Sequence, residues 1–274
     1  MFRFITTTAL FSLVFMMPGM ASTVAPYSDF SASAFAEEKE QEEPKFKNVK
    51  TRKRQSVGAK CGKALEKIQV VLEEEDWPKS MEMLEGIEAS SKTCKSPYEL
   101  TQVWKFKGYV YYSLDDFPGA IRSYKQVING EGTPEDLRLD TRYTLAQLFT
   151  AEERYADAAE QLEIWIDEST IVSNDARGLL AQIYYQLDRK EESLNMLELA
   201  IADVESKGKL PKERWWSLQR VLYYEKNDYD RVIAILEKLV KHYPKWTFWK
   251  QLGGMYGEQE RPLDQLVASE VVYM

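Results

Sequence analysis

Thiol redox, zinc and imidazole chemistry would have to draw on two cysteines and one histidine, a small supply for a chain of 274 residues. Cys61 and Cys94 bracket a pair of helical segments of matched length, and in an antiparallel hairpin those two points return to the same end. A disulfide is the expected product in an oxidising compartment; the alternative is two separate thiols. Two thiols and one distant imidazole cannot supply the four ligands of a structural zinc site. His242 stands in Lys-His-Tyr-Pro at a helix end, where a cap or surface role fits better than general-base work. The 44 Asp and Glu residues fall in turns and on helix faces, where i,i+4 pairing with Lys or Arg explains them. The segment from Gly130 to Pro134 (GEGTP) lacks the following Lys and Ser or Thr of a phosphate loop. The segment from Gly253 to Gly257 (GGMYG) falls in a helical pattern where Gly permits close packing. No catalytic residue, metal site or cofactor is expected, and the chain reads as a non-enzyme.

What remains is the chemistry of contact, and it needs elements to display it. From Gly62 onward one pattern recurs: a helix, an acidic or polar turn with an aromatic residue, then a helix carrying a small residue followed by a large apolar one. In the clearest copy Trp104, Gly108 and Tyr111 precede the turn Asp115-Asp116-Phe117, and Ala120 and Tyr124 follow. Other copies run through Ala146, Phe149, Tyr155, Ala158 and Leu162; through Leu180, Ala181, Tyr184, Leu197 and Ala200; and through Trp216, Tyr223, Tyr229, Leu236 and Leu239. A weaker first copy has Val71, Trp77, Ser80, Leu84 and Ile87, and a last begins with Trp249, Leu252, Gly253 and Tyr256. Small residues let paired helices approach closely while bulky ones fill the gaps, so neither helix buries its face alone. The fold expected is all-α, a right-handed superhelical array of about six tetratricopeptide (TPR) helix-turn-helix repeats over residues 61–274. Its last repeat is expected to be truncated, as in a fragment of a longer protein.

The N-terminus has Arg3, an apolar run from Phe4 to Met17, Pro18 and small residues, the layout of a secretory signal too short to span a bilayer. Residues 1–36 are therefore expected to be a signal peptide, cut after Ala21 or after Ala36, with the mature protein exported to the periplasm. Residues 37–60 carry an acidic cluster and then a basic one, and such runs solvate themselves as a flexible arm. The arm's basic stretch would also suit an acidic partner or anionic lipid head groups. No later segment is apolar enough to cross a membrane, and a net charge of -8 works against nucleic acid.

In a TPR array the first helix of each repeat lines the concave face. The residues expected there are Gln102, Lys105, Tyr109 and Tyr112; Tyr143 and Gln147; Gln182 and Tyr185; Arg214 and Tyr224; and Lys250. Tyr offers rigid area with a polar tip and Gln can bond an extended backbone, which together suit a peptide segment of another protein. The alternative is that these tyrosines pack against adjacent repeats.

Four stretches, TRKRQSVG, VWKFKGYVYYSLDDFPGAIRSYKQVI, LPKERWWSLQRVLYYEKNDY and YPKWTFWKQLGGMYGEQERPLDQL, give the chain from about Asn48 a further likeness. It resembles the periplasmic TPR proteins that accompany some TonB-ExbB-ExbD energy-transducing systems. The resemblance implies an accessory scaffold, with TonB, ExbB or ExbD periplasmic segments as partners, that helps couple the proton motive force to uptake of iron chelates. It brings no catalytic residues. Two other classes of function are left open: a cell-envelope assembly or peptidoglycan-coordinating TPR adaptor, and an enzyme subunit, which the absence of a convergent acid, base and nucleophile disfavours.

Overall fold

The computed structural model describes residues 45–47, 56–90 and 92–273, all within one unit, Pro44–Met274. The expected signal peptide, 1–36, and most of the expected charged arm lie outside the described residues. Among the described residues twelve helices form six antiparallel hairpins. These are α1 (Ala59–Glu73) with α2 (Trp77–Ala89), α3 (Pro97–Ser113) with α4 (Phe117–Asn129), and α5 (Glu135–Ala151) with α6 (Tyr155–Glu168). The remaining three are α7 (Asn174–Gln186) with α8 (Lys190–Ser206), α9 (Glu213–Glu225) with α10 (Tyr229–His242), and α11 (Trp246–Glu258) with α12 (Pro262–Tyr273). The main contacts join each helix to the next in sequence, and α1 also touches α3. The architecture is thus the expected all-α repeat solenoid, and its sixth hairpin carries both helices.

Small residues bring the helices of the second, third and fourth hairpins close together. A Cβ built on Gly108 would lie 2.7 Å from the Tyr124 ring, so only glycine lets α3 and α4 meet with that ring between them. Ala120, Ala146, Ala158, Ala181 and Ala200 are fully buried at the corresponding crossings. The glycines of the GEGTP segment also serve packing: a Cβ on Gly132 would sit 2.3 Å from the backbone nitrogen of Tyr98. In GGMYG, Gly253 lies in contact distance of Ala268 and Gly257 faces the Gln265 side chain, both across the α11–α12 crossing.

All six hairpin turns share one geometry. The residue after each first helix's cap is left-handed: Glu75, Asp115, Glu153, Asp188, Asn227 and Glu260, with φ between 54° and 58°. In the second hairpin the Asp115 N–H donates to the Tyr112 carbonyl at 3.0 Å and the Asp116 N–H to that of Tyr111 at 2.9 Å. This is a Schellman ending, and the same pair of bonds recurs in the other five. The next residue then caps the second helix in one of two ways. Asp76, Asp116 and Asp228 accept the backbone N–H of Lys79, Gly119 and Arg231. Arg154, Arg189 and Arg261 instead lie over the rings of Phe149, Tyr184 and Tyr256 and donate to Asp157, Glu192 and Asp264.

At the entry to the array Cys61, in the first turn of α1, and Cys94, between α2 and α3, form the disulfide, with Cα atoms 4.9 Å apart. Glu99 in α3 adds a second tie, accepting the N–H groups of Gly58, Lys95 and Ser96 at 2.9, 2.7 and 2.9 Å. Burial opposes its ionisation, but those donors outweigh it and hold its carboxyl below the usual carboxylate range.

Two stability changes are expected. Replacing Cys61 and Cys94 by Ala removes a cross-link spanning 33 residues and should lower unfolding free energy by roughly 3 to 4 kcal/mol. Hydrogen exchange should show the loss concentrated in α1 and α2. Glu153→Gly relieves a left-handed non-glycine residue and should raise stability by roughly 1 kcal/mol, read as a shift in denaturant midpoint at constant slope.

Candidate partner-binding site

All eleven residues expected to meet a partner lie on the first helices of hairpins two to six: α3, α5, α7, α9 and α11. Gln102 is a correction: it is only 7% exposed and flanked by buried Thr101 and Val103, so it is not available to a partner. The first turns of α3 are covered by the loop after α4, where Thr133 reaches Thr101 Oγ1 at 2.9 Å. Arg214, Tyr224 and Lys250 are exposed, and Lys105, Tyr109, Tyr112, Tyr143, Gln147, Gln182 and Tyr185 are half-buried.

Many of the aromatic members are engaged within the array. Tyr109 packs edge-on against Trp77 at 5.9 Å between ring centres, Tyr112 lies 5.9 Å from Phe117, and Tyr224 lies 5.8 Å from Tyr229. The Tyr185 hydroxyl donates to Glu225 at 3.1 Å, linking α7 to α9. Lys250 stands over the Trp246 ring at 5.9 Å. A shallow depression of about 340 Å³, lined by Glu88, Trp104, Lys107, Arg122 and Gln126 among others, includes none of the eleven.

Two acidic residues that the sequence reading assigned to solvent belong with this set. Asp140 and Asp175 each stand six residues before a buried small residue, Ala146 and Ala181, and so hold one register position on α5 and α7. Burial lowers the Lys105 pKa, and the Asp140 charge opposes that shift. Burial raises the Tyr143 phenol pKa; Asp175 adds to this and Arg214 opposes it. Arg214 lies 3.7 Å and Lys212 2.5 Å from Asp175. The first helices therefore carry aromatic rings interspersed with alternating charges.

A third feature lay in the segment expected to be a solvated arm. Phe46 is 2% exposed, its ring edge-on to Trp165 at 6.5 Å, and Trp165 in turn packs on Tyr143 at 4.9 Å. The flanking backbone pairs with the chain after α6: the Lys47 N–H donates to the Glu168 carbonyl at 2.8 Å, and the Thr170 N–H to that of Lys45 at 3.0 Å. Lys45 reaches Asp140, and Lys47 donates to the Asp167 carbonyl at 2.7 Å. Covering one phenylalanine is worth about 2 to 3 kcal/mol, which outweighs the ordering of three residues only with help from those bonds.

Neighbouring hairpins are also tied by tyrosine hydroxyls. Tyr184 donates to Glu163 at 3.0 Å, Tyr223 to Glu198 at 2.5 Å and Tyr256 to Glu237 at 2.7 Å, each linking a first helix to the preceding second helix.

Searches of family models and of curated proteins find no match to this chain. Solved structures do match, and they define the fold as that of a tetratricopeptide-repeat array. A crystal structure of MamA superposes with a TM-score of 0.52 at 21% identity, covering 63% of this chain and 89% of that one. A tetratricopeptide repeat protein from Parabacteroides merdae gives 0.55 at 16% identity, covering 79% and 80%. YrrB, described as a TPR protein with an unusual peptide-binding site, gives 0.50 at 12% identity, covering 67% and 87%.

Burial, together with hydrogen bonds to Glu163, Glu198 and Glu237, pushes the phenols of Tyr184, Tyr223 and Tyr256 from 10.0 up to about 12. The folded state thus retains protons that the unfolded state has released. Their stabilisation is complete below pH 10.0 and is lost as pH rises to about 12. Melting temperatures over that range should fall, and replacing all three by Phe should flatten the decline.

Proposed function

We propose that this protein is a periplasmic, non-catalytic TPR scaffold that holds a segment of another protein along its first helices, as an accessory to a TonB-ExbB-ExbD system for iron-chelate uptake. The observation that carries the scaffold reading is the row itself: Lys105 and Asp140, then Tyr143, Asp175 and Arg214, then Tyr185 and Glu225, run over successive hairpins. Rings beside alternating charges give an extended polypeptide both area and register. YrrB, which shares the fold, is itself described as having a peptide-binding site. Export is supported by the signal-like N-terminus and by the Cys61–Cys94 bond, since disulfides persist in oxidising compartments. The TonB assignment is supported by the family resemblance of the quoted stretches. Among the described residues no helix is long and apolar enough to cross a membrane.

The mechanism we infer on this reading is positional. The stack of hairpins, tied by disulfide, turns and tyrosine bonds, would hold a captured TonB or ExbD periplasmic segment at a fixed position relative to the rest of the energy-transducing system. Pull-downs with those segments should recover less partner with Tyr112→Ala and with Tyr185→Ala than with wild type. Equal recovery would remove both tyrosines from the site. Deleting the gene should impair growth on ferric siderophores, and a normal growth curve would count against the TonB assignment.

A further inference from the structure

We propose that the cleft at the open end of the third hairpin is a second peptide-recognition site, specific for an extended segment with an aromatic residue between two basic ones. Lys45-Phe46-Lys47 is its built-in occupant, and a partner segment of the same chemistry displaces it. The inference deepens the scaffold reading and rests on it, but concerns a place separate from Tyr112 and Tyr185.

Recognition has three parts. Two backbone hydrogen bonds, Lys47 to Glu168 and Thr170 to Lys45, pair Phe46 with Ser169 as an antiparallel bridge, the way a peptide adds to an exposed strand. Such pairing takes any sequence, so selectivity must come from side chains. Phe46 supplies it by entering a buried cluster against Trp165. In an extended chain the residues on either side point the opposite way, which lets Lys45 reach Asp140 and Lys47 reach the carbonyl at the end of α6. Negative charge and helix-end carbonyls on the rim thus select basic flanks.

The occupant is a ligand in its bonding as well as its placement. It touches the array through one ring, two lysines and two backbone bonds, and it comes from a predominantly charged stretch in which Phe46 is the one aromatic residue between Glu37 and Gln55. The Trp165 indole N–H, in a residue 7% exposed, has no acceptor among the described residues, so the cleft keeps a donor that the present occupant does not use. Being tethered, the segment competes at high effective concentration, and a free peptide gains access only when the tethered one is weakened.

The test is fluorescence anisotropy with a labelled peptide of residues 42–49 (EEPKFKNV) against the full chain. Phe46→Ala and, separately, the double variant Lys45→Glu with Lys47→Glu weaken the occupant in different ways; circular dichroism checks that each stays folded. The peptide should bind Phe46→Ala roughly tenfold more tightly than wild type, with the charge variant between them. Adding Asp140→Asn to Phe46→Ala should weaken binding severalfold, and a peptide with Ala in place of Phe should not bind. The proposal is overturned if neither arm variant gains affinity, if the Ala peptide binds as well as the Phe peptide, or if Asp140→Asn changes nothing. Any of those results would leave partner capture through Tyr112 and Tyr185 standing, so the two readings fail separately.

Discussion

No helix in this array can bury its apolar face alone, and everything else in the structure follows from that constraint. In α3 a glycine stands where the second helix brings a ring, Gly108 against Tyr124, and α5 and α7 bury Ala146 and Ala181 at the same register position. The resulting pair still exposes apolar surface until the next pair covers it, so burial accumulates only along the stack. Two continuous clusters result, one centred on α4 to α7 and the other on α8 to α11. Cooperativity between hairpins is therefore built into the packing, and the tyrosine-to-glutamate bonds lie across the same junctions.

Stacking requires every hairpin to reverse its direction in the same way, and the turns achieve this with two chemistries. A left-handed residue and two backbone bonds set the geometry in all six. Where an aspartate follows, its carboxylate takes an orphan N–H of the second helix. Where an arginine follows, that N–H loses its side-chain cap, but the guanidinium covers the aromatic residue ending the first helix and pairs with an acid one turn ahead. Exposed pairs of this kind are individually weak. Their contribution here comes from fixing the arginine over a ring, which links the turn to the core.

The fold was legible in the sequence because the features that encode it are local and repeated. Gly108, Ala146 and Ala181 recur at one register position, and the matched helix lengths between Cys61 and Cys94 bring the two thiols together. The candidate site was legible only in part. Register places Tyr143 and Tyr185 on first helices, but cannot say that Gln102 is buried beside Thr101, whose own hydroxyl meets Thr133 from 32 residues away. Asp140 and Asp175 share one register position, yet their abundance-matched neighbours made them look like ordinary surface acids. Phe46 was missed for a different reason: one apolar residue among charges has no periodicity, and its partner Trp165 is visible only after three hairpins have been stacked.

The interaction face differs from an empty groove in that its polar and aromatic groups already have partners. Tyr185 is bonded to Glu225, Arg214 faces Asp175, Lys45 occupies Asp140, and Phe46 fills the cleft beside Trp165. On the proposed reading a client binds by exchange, and its affinity reflects the difference between new contacts and those it replaces. Exchange costs little where the displaced pair is exposed and water can solvate the released group, as at Asp175 and Arg214. It costs most at Phe46, whose release exposes a full aromatic ring and leaves Trp165 uncovered unless the incoming segment supplies another. Selectivity should therefore be sharpest at the second site on the third hairpin, while the row of first helices offers its own client area and steering.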